Sequence, residues 1–201
     1  MKHALKIVAA AVVASGLAAC SSPQAPPPQY YELRLEAPEA ASVSPASAGG
    51  VWQLMAPVKL PEHLERDVIW LPAGNAGLQP LPGHRWAEPL DEAVPRILLH
   101  DLAQLRGTDG VWSGALPSNL AVSKQLRVQI LELAVAGDSH SVHLTARCSL
   151  TGAGVGTPGP PRVFEVRVSA PIKGADPDAL VAAHRLALWR LAQEIVRGAQ
   201  P

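Results

Sequence analysis

Cys20 stands directly behind Leu17-Ala18-Ala19, and small residues followed at once by a cysteine form the pattern in which a thiol is acylated before the peptide ahead of it is cut. The expected chemistry is covalent attachment of diacylglycerol to the sulfur and of an N-acyl chain to the new amino terminus. Upstream, Lys2 and Lys6 precede the apolar run from Ile7 to Ala14, which is too short to span a bilayer and reads as a secretion signal over residues 1–19. Residues 20–29, with Pro23, Pro26, Pro27 and Pro28, would then be a polyproline-like tether. At ~3.1 Å per residue, Ser21 to Gln29 reach at most about 28 Å.

Other residues with reactive potential carry less. His140 and His143 are three apart on a segment of strand character, so they point to opposite faces, which disfavours a shared metal and suits surface histidines. Gly152-Ala153-Gly154-Val155-Gly156 imitates a dinucleotide loop but runs into Pro158-Gly159-Pro160-Pro161, where a phosphate-binding loop needs a helix N-terminus. Ser113 lacks an elbow motif and a base nearby, and the acids show no glycosidase-like pairing. The expectation is a non-enzyme without cofactor or metal. Cys148 falls on the inward register of a strand and reads as an inert core thiol. With Cys20 lipidated, no intrachain disulfide can form. Asp101 and His184 each lie on the apolar face of a helix, where local satisfaction by backbone, loop or water is expected ahead of direct contact between the two.

The elements that must position these residues follow from periodicity. The chain has 201 residues, 48% of them hydrophobic, and residues 30–201 make one domain's length with a substantial core. Loss of Lys2 and Lys6 with the signal turns a formally neutral chain slightly acidic, which argues against nucleic acid as a partner. Tyr30 to Leu35 alternates as a first strand with Tyr31, Leu33 and Leu35 inward. Val51 to Leu60 is a second strand, interrupted or turned at Pro57, and Val68 to Leu71 a third. Residues 77–82 can form only a short edge segment, because their prolines cannot donate to a ladder.

A helix is predicted from Glu88 to about Arg106, with a kink or an initial turn at Pro95 and a stop at Gly107. After a short segment at Val111-Trp112 comes a meander of three strands: Lys124 to Ala136, a second containing Val142 to Leu150, and a third containing Phe164 to Ala170. Asp176-Pro177-Asp178 caps a last helix whose Leu180, Ala187, Leu188, Leu191 and Ile195 share one face. The fold class is α/β of the α+β type: a single domain with a largely antiparallel mixed sheet and two helices packed on one face. Ala182, Leu186, Trp189 and Val196 form a second apolar stripe on the last helix. Trp189, Leu186 and Val196 are therefore candidates for partner binding, the alternative being a loop that folds over Trp189 within the monomer.

Tyr30-Tyr31-x-Leu33 behind a proline tether, Pro57-Val58-x-Leu60-Pro61-x-x-Leu64-x-Arg66, Arg85-Trp86-Ala87-Glu88-Pro89-Leu90 and an Ala/Leu-rich last helix together resemble the ABC-type transport auxiliary lipoproteins of the PqiC (YmbA) type. The likeness covers nearly the whole mature chain. It departs at Leu71-Pro72, where the resemblance implies a basic residue, and at Cys148, where it often implies tryptophan. It implies an accessory lipoprotein, sorted by Ser21 and anchored on the periplasmic side of the outer membrane, that docks an assembly of MCE-domain protein with ABC or membrane transport subunits. Such assemblies move lipids between membranes. It also implies a homo-oligomeric ring. A monomeric periplasmic lipid carrier and a lipoprotein activator of an envelope enzyme remain the alternatives.

Overall fold

The computed structural model describes residues 26–38, 50–107, 110–118, 120–153 and 159–199. Among these residues, eight strands and two α-helices follow in the order β1 (Gln29–Tyr31), β2 (Val51–Leu54), β3 (Val68–Ala73), β4 (Gly77–Trp86), α1 (Leu90–Arg106), β5 (Val111–Ser113), β6 (Val122–Val135), β7 (Ser141–Gly152), β8 (Arg162–Pro171) and α2 (Pro177–Gly198). The strands make two sheets, β5-β2-β6-β7-β8 and β1-β4-β3. One hydrophobic core joins them, so the chain is a single α+β domain.

The meander β6-β7-β8 is antiparallel throughout, whereas β2 runs parallel to both β5 and β6. Its inward residues alternate as two-residue periodicity requires: Val142, Leu144, Ala146, Cys148 and Leu150 on β7 are buried. On β6 the buried set changes phase, from Leu126, Val128 and Ile130 to Leu133 and Val135. A register shift between Ile130 and Glu132 absorbs the extra residue and keeps both halves facing the core. Arg127, Gln129, His143, Arg147, Glu165 and Arg167 stand exposed on the opposite face.

The interruption expected at Pro57 is present. The Ala56–Pro57 peptide is cis, and beyond it the chain rejoins β6, with Ile130 N donating to Lys59 O at 2.8 Å. Two expectations are corrected. The first strand stops at Tyr31, and although Leu33 is buried, Leu35 is 41% exposed. Residues 77–86 form a ten-residue strand that is the middle member of its sheet, not a short edge segment. The prolines are tolerated because β1 pairs only with His84 to Trp86, so the Pro80 end of β4 has β3 alone as a neighbour.

Helix α1 runs unbroken through Pro95, which lies in its second turn and removes the single amide that would reach Asp91 O. Gly107 ends it at φ +92°, a conformation that favours glycine. Asp176 caps α2 by accepting from Ala179 N at 2.7 Å, with Pro177 in the first turn. Helix α2 lies against β7 and β8, and α1 packs on α2 and beside β5, so both helices cover the same face of the larger sheet.

Candidate functional site

The strongest polar feature lies where the two helices meet. Asp101 of α1 has no exposed surface, and its two carboxylate oxygens accept from the Arg185 guanidinium of α2 at 2.6 and 2.7 Å. This parallel, two-bond geometry is the strong form of an arginine–carboxylate contact. Arg185 also donates to Arg34 O at 2.7 Å and to Leu35 O at 3.1 Å, which fastens the segment behind β1 to the helix pair. Burial pushes the Asp101 carboxyl up, and the hydrogen bonds and charge of Arg185 pull against it. His184, one residue earlier, behaves as the local reading expected: its Nδ1 faces Leu180 O at 2.9 Å, and its ring meets Trp86 edge-on at 5.4 Å. Asp101 does not; its partner is on the other helix, and that partner is Arg185, a residue the sequence reading passed over. The signal was available, because a carboxylate centred on an apolar helix face needs a cation.

Burial lowers the His184 pKa, only partly offset by its bond to Leu180 O. In the unfolded chain this imidazole takes a proton near pH 6.5, whereas the folded one resists until lower pH. Folding stability is therefore intact above pH ~6.5 and is lost as pH falls through that value, with a slope of at most ~1.4 kcal/mol per pH unit. Urea titrations between pH 7.5 and 5.5 should show this slope in the parent and a flatter one in His184→Gln. Equal slopes would exclude His184 as the source.

Two surface grooves flank the clamp. One, of about 510 Å³, is lined by Tyr30, Tyr31, Arg34, Asp178, Val181 and Arg185, and it opens where the N-terminal segment enters the domain. Tyr31 is held there by a 2.9 Å contact between its hydroxyl and His84 Nδ1. The other, of about 410 Å³, lies between α1 and β5 and is more apolar, with Leu35, Leu99 and Trp112 in its walls. Nearby, the Arg106 guanidinium stacks 3.7 Å above the Trp52 ring and donates to Gly50 O at 2.9 Å; burial lowers its pKa.

Cys20, Ser21 and the glycine run beyond Ala153 lie outside the described residues. Trp189, Leu186 and Val196 do not form an outward stripe. Trp189 is 0% exposed and Leu186 is buried, while Val196 is partly buried against the core. The partner-binding assignment is corrected accordingly: α2 is enclosed over Ala183 to Trp189 by α1 on one side and the sheet on another, so Leu186 and Trp189 are internal, while Ala182 at the start of the second stripe is exposed. His140 and His143 are exposed and engage Asp138 O and Ser141 Oγ respectively. Among the described residues, no three His, Cys, Asp or Glu side chains are grouped to hold a metal. Burial pushes the Cys148 thiol up to about 12, which keeps it protonated and unreactive at neutral pH.

Two crystal structures share the fold. One, of an uncharacterized protein, is 16% identical and aligns with a TM-score of 0.69 over 87% of this chain and 100% of its own. The second, from Xanthomonas campestris, is 17% identical, with a TM-score of 0.60 over 84% of this chain and 92% of its own. No curated protein matches by sequence. The description "ABC-type transport auxiliary lipoprotein component" belongs to a family model that matches residues 31–196, from the first strand to the last turns of α2. That match over residues 31–196 shows that the chain belongs to the family of ABC-type transport auxiliary lipoproteins.

Proposed function

We propose that this protein is the outer-membrane member of an intermembrane lipid transport system, held on the periplasmic side by acyl chains on Cys20. There its domain receives an assembly of MCE-domain protein and ABC or membrane transport subunits. The observation that carries this reading is the family match from residue 31 onward, immediately behind a proline-rich segment that follows a lipid-acceptor sequence. Among the described residues no helix is long and apolar enough to cross a membrane, so those residues supply no helical anchor of their own. Ser21 suits release toward the outer membrane. Each buried methylene of an acyl chain contributes about 0.8 kcal/mol, so several chains hold far more firmly than one.

Crosslinking in cells followed by membrane fractionation and recovery of the chain tests both parts. The parent should sediment with the outer membrane and bring down an MCE-domain subunit. Cys20→Ser should leave the membrane fraction and lose that partner. Recovery of a cell-wall synthase, or of lipid with no protein, would replace the proposal with one of its alternatives.

A further inference from the structure

The face of the large sheet turned away from the helices carries a charge pattern that the core does not require. Arg127 on β6 stands opposite Ser149, Arg147 on β7 opposite Gln129, and Arg167 on β8 opposite Thr145, so the three arginines step diagonally across the meander, one per strand. Diagonal neighbours of this kind are about 7 to 8 Å apart. Lys59 joins them, because its backbone bridges Gln129 and its side chain is exposed beside that residue. Two carboxylates lie among these four cations. Glu165 is paired with Arg167, and Glu132 accepts from Thr145 Oγ1. Neither Arg127 nor Arg147 has an ion-pair partner among the described residues. Like charges held side by side in this way repel each other unless an anion lies over them. The other side of the molecule has the opposite sign: Asp91 and Glu92 open α1, and Asp176 and Asp178 flank the start of α2.

We infer that this sheet face lies against the anionic phospholipid headgroups of the membrane that carries the anchor, an orientation that rests on the Cys20 attachment proposed above. The choice of a lipid surface over an acidic protein follows from what the face lacks. A protein interface is centred on a buried aromatic or aliphatic anchor. On β6, β7 and β8 the only large apolar side chain that stands exposed is Val163, at the start of β8. Neither groove described above is lined by any of the four cations. Headgroups need no pocket and no matched shape, because each Lys or Arg near an anionic surface is drawn to it separately. A tether that reaches up to about 28 Å lets the domain lie down on the bilayer. Both helices, on the other face of the sheet, then point into the periplasm.

The lipidated chain reconstituted into vesicles tests the orientation, with a fluorophore on Gln129→Cys, in the middle of the face, or on Gln104→Cys, exposed on α1. Cys148 is buried and its thiol stays protonated, so the label goes to the introduced site. In vesicles of phosphatidylcholine with phosphatidylglycerol, a quencher carried on lipid headgroups should dim the Gln129 label several-fold more than the Gln104 label. The contrast should vanish in pure phosphatidylcholine vesicles and at high salt, where exposed charges are screened. Arg127→Gln and Arg147→Gln should each lower the headgroup-bound population about fivefold, and their effects should multiply in the double variant. Equal quenching at the two sites, or a contrast that persists in neutral vesicles, would overturn the orientation. So would unchanged quenching in the double variant together with loss of a crosslinked protein from cells, which would give the face to an acidic protein. Flotation separates these results from the anchor. A chain that does not float with phosphatidylcholine vesicles refutes the Cys20 reading, and the face is then judged on phosphatidylglycerol vesicles alone: binding that the double variant loses supports it, and no binding overturns it.

Discussion

Asp101→Ala should lower folding stability by about 3 to 5 kcal/mol, because it removes the counter-charge of a cation that cannot move to water. The Arg185 side chain is 6% exposed, and the carbonyls of Arg34 and Leu35 would be its remaining partners. The cost therefore comes chiefly from an uncompensated buried charge. Replacing both partners with apolar residues, as Asp101→Leu with Arg185→Met, should cost much less than the sum of the two single changes. Urea denaturation of the four proteins gives the coupling directly. A loss below about 1 kcal/mol for Asp101→Ala would show that water reaches the guanidinium and that the clamp is not a dry ion pair.

Trp189→Ala should cost about 3 to 5 kcal/mol, and the loss should appear as a lower denaturation midpoint at any protein concentration. The indole is wholly enclosed within one chain, so its removal opens a cavity between α2 and its neighbours and leaves no partner surface altered. The indole N–H has no hydrogen-bond acceptor among the described residues. Trp189→Phe fills most of the same space and removes that donor, so it should cost well under the alanine figure. A Trp189→Ala protein of parental stability would mean that the helix does not sit as deeply as its exposure indicates.

How much of this was legible beforehand depended on whether the controlling interaction was local. The Asp176-Pro177 cap and the alternation along β7 are set by neighbours in the sequence, and the structure keeps them. On β6 the slip from Val128 and Ile130 to Leu133 and Val135 is visible as two adjacent inward phases, yet only pairing with β7 shows that a bulge reconciles them. The prolines of β4 pointed to a short edge segment, and the structure makes it a ten-residue middle strand instead. They could not reveal that β1 joins beyond them, because that neighbour lies some fifty residues upstream. Trp189 shows the same limit from the other side. A helix with apolar residues all round is either an interface element or a core element, and only the placement of α1 and the sheet decides between them. Arg185 was overlooked for a related reason: its partner is 84 residues away.

The route of the N-terminal segment also has a mechanical consequence. Strand β1 runs parallel to β4, and Arg185 grips the backbone two and three residues after Glu32, at Arg34 O and Leu35 O. A pull on the chain ahead of Gln29 runs along β1 and loads its bonds to β4 together in shear. Beyond Leu33, which is itself embedded in the core, the same pull arrives at a guanidinium fixed to Asp101. Tension from the N-terminal side thus passes into both helices at once. The domain can be tugged from its N-terminal end without peeling its first strand away residue by residue.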